Sequence, residues 1–79
     1  MLKLYAAAIV AYRFTKGEGL YTTSNVYMCL AETETEAGAA AYLEAVGRWP
    51  KADGWSGHDA NAAEVPEGLI KAANKERHG

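Results

Sequence analysis

The 79-residue sequence predicts a two-layer α+β fold of order β-β-α-β-α: an antiparallel hairpin plus a third strand, packed on one main helix. Three observations carry that expectation. Two long apolar segments flank Gly17-Glu18-Gly19, as the arms of a hairpin would. Residues 33–50, TETEAGAAAYLEAVGRWP, bear the start and stop signals of an amphipathic helix. Residues 58–76 then offer a weaker strand and a short helix led by Pro66.

Residues 2–14, LKLYAAAIVAYRF, read as the first strand, because Tyr, Ile, Val and Phe favour a pleated surface, although the alanines would also suit a helix. Residues 20–31, LYTTSNVYMCLA, form a second strand of matching length. If Gly17-Glu18-Gly19 is the whole loop, Lys16 pairs with Leu20. Ala6 then lies opposite Leu30, Ala8 opposite Met28 and Val10 opposite Val26. The reading places Leu4, Ala6, Ala8, Val10, Tyr12 and Phe14 under the helix. Tyr5, Ile9, Arg13, Tyr21, Thr23, Asn25 and Tyr27 then face away from it.

In the helix, Thr33 and Glu36 have capping-box spacing, in which each side chain satisfies the other residue's free N–H. Ala39, Tyr42, Leu43 and Val46 recur as one apolar stripe, so Leu43→Ala is expected to cost roughly 2–4 kcal/mol. Glu44 and Arg48 stand one turn apart and can pair. Pro50 stops the helix near Arg48. Residues 50–57, PKADGWSG, form a loop, residues 58–65 the third strand, and residues 66–76 the closing helix.

The length suits one small domain, 1–79, with a thin core. A single cysteine, Cys29, forms no internal disulfide and reads as a small buried hydrophobe. Lys3 followed by LYAAAIVAY has the outline of a leader segment, but Tyr5 and Tyr12 interrupt it and it is too short to span a bilayer, so a cytoplasmic protein is expected. The net charge of −2 is uneven: residues 32–67 hold eight acids against Arg48 and Lys51. Such a middle disfavours nucleic acid and suits a partner that is itself basic.

The chemistry-bearing residues are sparse. His58 and Asp59 are neighbours, but adjacent strand residues point to opposite faces, so they make no catalytic pair and a loop-anchoring histidine is the simpler reading. Gly17 and Gly19 lack the following helix and lysine of a phosphate loop. Glu34, Glu36 and Glu44 are spread along the helix in capping and pairing roles, so no metal site, cofactor or catalytic residue is expected. Trp49 continues the helix stripe and should be buried, whereas Trp55 sits in the glycine-rich loop as an anchor or a partner contact. Tyr5, Tyr21 and Tyr27 would make an aromatic patch on the outer sheet face, unless the closing helix covers it.

The run from Glu34 to Pro66, with EAGAAAYL, RWPKADGWSGH and AEVPE, resembles small bacterial and phage proteins of β-β-α-β type. In size and acidity the chain is similar to phage-encoded inhibitors of host defence, notably the anti-CRISPR proteins. That resemblance implies a protein partner with a basic, nucleic-acid-binding surface, and it transfers no residue roles. The function expected is a non-enzymatic acidic protein–protein interaction module with Glu34, Glu36, Glu44, Asp53, Trp55, Asp59, Tyr5, Tyr21 and Tyr27 as partner contacts. The alternative is a small self-associating dimer joined through the exposed hairpin face.

Overall fold

A computed structural model describes residues 1–69. Strand β1 (Lys3–Thr15) and strand β2 (Gly19–Ala31) form the long hairpin, helix α1 (Glu34–Arg48) crosses it, and strand β3 (Gly57–Glu64) returns along β1. All pairing is antiparallel and the strand order is β2-β1-β3, so β1 is central. The α+β architecture is therefore as the sequence predicts. A helical turn begins at residues 67–69, and the rest of the closing helix expected over 66–76 lies outside the described residues.

The hairpin closes one residue earlier than expected. Thr15 pairs with Gly19, Leu4 with Leu30 and Ala8 with Val26. The Glu18 N–H donates to the Thr15 carbonyl at 2.9 Å, which centres the turn on Lys16 and Gly17. A turn of this kind wants a positive φ at its third residue, and Gly17 supplies 89°. The shift of two in the pairing sum keeps every side chain on its own face.

Which face the helix covers is the larger correction. Tyr5, Ala7, Ile9 and Ala11 are buried beneath α1, with Tyr27, Cys29 and Trp49 packed partly against them. The even-numbered set, Leu4 to Phe14, faces outward instead. Strand β3 accounts for this choice. Its register puts Asp59 opposite Val10 and Asn61 opposite Ala8, on the even face, while Ala60 and Ala62 share the odd face. A helix laid over the even face would bury Asp59 and Asn61, and an unpaired buried carboxylate is far costlier than an exposed valine.

The helix likewise presents a different stripe. Ala37, Ala41 and Ala45, four residues apart, are fully buried, and their small size lets α1 approach the sheet closely. Tyr42 and Leu43 stand out in solvent, Leu43 at 71% exposure, so the core role expected for Leu43 and its large alanine penalty do not hold. Ile9 is the one large side chain that is wholly enclosed among the described residues.

The helix ends follow their local signals. Thr33 Oγ1 accepts the Glu36 N–H at 3.2 Å, and the Glu36 carboxylate accepts the N–H of Glu32, one residue before the position a capping box would use. Glu44 and Arg48 form the anticipated ion pair. Trp49 leaves helical geometry at φ −127° and ψ 72°, outside the α region that Pro50 disfavours for the residue before it.

Both outer strands leave one edge without a strand partner among the described residues. On β2 the Val26 N–H is taken by its neighbour Asn25 Oδ1 at 2.8 Å, and on β3 the Ala60 N–H by Asp59 Oδ1 at 2.9 Å. Each is a local cap on one outward-facing donor.

Candidate interaction surfaces

The outer face of the sheet is an apolar plain. Its cross-strand rows are Leu4 with Leu30, Ala6 with Met28, Ala8 with Val26, Val10 with Ser24, Tyr12 with Thr22, and Phe14 with Leu20. Leu2 extends the row at the open end. Leu2, Tyr12, Phe14, Leu20, Val26, Met28 and Leu30 are well exposed, from 41% for Tyr12 to 67% for Phe14, whereas Leu4 and Val10 are half-buried. With about 150–250 Å² per aromatic side chain and less per aliphatic one, the exposed large residues present roughly 750 Å² of surface. The largest apolar patch of a typical monomer is about 300–600 Å². Gly57 contributes by its missing side chain: a Cβ there would stand 2.4 Å from the Tyr12 ring, so glycine lets the ring lie across β3. No charged residue occupies an outward strand position of β1 or β2, and Asp59 is the one acid that β3 adds.

The helix side carries a second aromatic group, beyond the end of α1. The Arg13 guanidinium lies 4.8 Å from the Trp55 ring centre and 5.2 Å from that of Tyr21. Tyr21 and Trp55 stand 5.9 Å apart, and Trp49 meets Trp55 edge-on at 6.4 Å. The His58 ring bonds the Trp49 carbonyl, and the edge of Tyr42 meets the same ring at 6.2 Å. These contacts tie the connection between α1 and β3 to the hairpin tip. Trp55 thereby acts as a loop anchor, and His58 as the tie between β3 and the helix end. Trp49 is half-buried rather than fully enclosed. Two shallow surface depressions, one lined by Leu2, Leu4 and Val65 and one by Arg13, Leu20 and Tyr21, do not include His58.

The tyrosines expected to form an exposed patch are thus dispersed. Tyr5 is buried under the helix at 3% exposure, and Tyr27 packs against the same core. Tyr21 is exposed but sits on the helix side, stacked with Arg13 and Trp55. The acidic set does not converge either. Glu34 and Glu36 mark the first turn of α1, and Glu44 lies farther along it, neutralised by Arg48. Asp53 belongs to a short 3-10 turn at Lys51–Asp53, and Asp59 points to the opposite face of the sheet. The surface that sequence reasoning missed is the outer plain itself. Its residues are legible as one alternating set, which the sequence pattern places under the helix.

Among the described residues no helix is long and apolar enough to cross a membrane. Comparison with family models, with curated proteins and with solved structures finds no match.

Proposed function

We propose that this chain is a non-enzymatic protein–protein interaction module whose contact surface is the outer face of the sheet. The observation that carries this reading is the set of large, well-exposed apolar side chains on one sheet face, which together present roughly 750 Å². Its exposed side chains include aromatic and methionine residues, and the hairpin strands add no charge to it, a composition common in interfaces. The test is photo-crosslinking in cells that produce the chain. A benzoylphenylalanine in place of Phe14 should give protein adducts, and one in place of Leu43 on the helix should give far fewer. Equal or absent adducts at the two positions would remove the outer face from consideration.

A second reading is an acidic inhibitor that occupies the basic groove of a nucleic-acid-binding defence complex. It is supported by the acidic excess of residues 32–67 and by Glu34, Glu36 and Asp53, which are exposed and make no ion pair among the described residues. Glu34→Lys is the cleanest probe, since Glu36 caps the helix and Glu44 is paired. Binding to such a complex should weaken both in that variant and as salt rises, because exposed charges act mainly through long-range steering. Binding indifferent to both would leave the acids as a solvated surface.

A further inference from the structure

We propose that the occupant of the outer sheet face is a second copy of this chain, packed face to face into a two-fold dimer; the inference rests on the interaction reading above and names its partner. Area is the first argument. A stable interface of standard size buries about 800 Å² on each partner, close to the roughly 750 Å² that this plain presents.

Charge is the second. An isologous contact sets residue i of one copy against residue j of the other and j against i, so charges of a single sign on the patch would find no opposite charge to pair with. The outward positions of β1 and β2 carry none, and Asp59 lies off to one side on β3. A basic protein would find no acids to pair with on the hairpin strands, and nucleic acid would find no cations there. The hairpin part of the face is uncharged, so two copies can meet there without opposing like charges.

The plain exposes Phe14, Leu20, Val26, Met28, Leu30 and Tyr12 together. The strand β1 sequence points the same way: LYAAAIVAY is nearly continuous in apolar residues, the pattern of a strand covered on both faces rather than on one. The helix covers one face, and a second sheet would cover the other. Sheets stacked in this way lie about 10 Å apart. The middle of the plain, at Ala8 and Ser24, is low enough for that approach. The resulting assembly has four layers, with both helices outward.

Sedimentation equilibrium of the full chain tests this. The expected mass is twice the 8.5 kDa of the chain, and the thermal midpoint should rise with protein concentration, as it does when folding and association are linked. Met28→Lys and Leu30→Lys should each halve the mass, and Leu43→Lys on the helix should leave it doubled. If a lysine variant does not fold, the wild-type midpoint decides, and one that stays fixed over about 100-fold dilution overturns the dimer. A dimer that survives both lysine substitutions is joined elsewhere, which also overturns it. A wild-type monomer that binds an apolar dye, with binding lost in Met28→Lys, rejects the second copy but leaves the face open to a different protein. A monomer that binds no dye has a covered face, and rejects both readings.

Discussion

Leu43 stands in solvent on α1, so Leu43→Ala should lower stability by less than about 0.5 kcal/mol, the usual range for a surface change. An unfolding free energy from urea denaturation lowered by several times that amount would place Leu43 in a contact absent from this structure. Ala41 is the opposite case. It is fully buried where the helix meets the sheet, so added carbons would push against packed neighbours. Ala41→Leu should therefore cost about 1–3 kcal/mol by overpacking, read from the same denaturation curve. The contrast inverts the usual expectation that leucine marks the core and alanine is filler. Here the small residue sets the distance between layers, and Tyr5 and Ile9 on the sheet supply the bulk.

At the level of elements, the ends of α1 were legible and its orientation was not. Thr33, Glu36 and Pro50 act on the backbone within a turn or less, so their effects are written locally. Thr33→Ala should cost about 1 kcal/mol, because it frees the Glu36 N–H; a thermal midpoint unchanged from wild type would mean that water replaces the cap without loss. The hairpin was legible for the same reason, through its two strand-like arms and the glycines between them. Its buried face was not, since both faces are apolar and alternation alone cannot rank them. The deciding residues, Asp59 and Asn61, lie about fifty positions away in sequence and bear on β1 only through the β3 register. Two apolar stripes on α1 posed the same ambiguity, and the bulkier one was the wrong choice. The candidate site inherited both errors: the tyrosines were expected outside and the aliphatic rows inside.

For the whole molecule, the consequence is a core with little material in it. The fully enclosed residues among those described are alanines and Ile9. A chain of this length already buries a smaller share of its surface than a larger domain does. A second copy on the outer face would roughly complete β1 as a central buried strand, and monomer stability would then be inseparable from concentration. The free edge of β2 brings a different liability, that of uncontrolled growth. Natural edge strands are blunted by lysine, proline or a bulge, yet the thirteen residues Gly19–Ala31 contain neither charge nor proline. Asn25, which occupies the Val26 donor, is the local guard seen along that edge. Asn25→Ala should shorten the lag before thioflavin-positive fibrils form in a stirred, concentrated solution. An unchanged lag would show that fibrils nucleate somewhere other than β2.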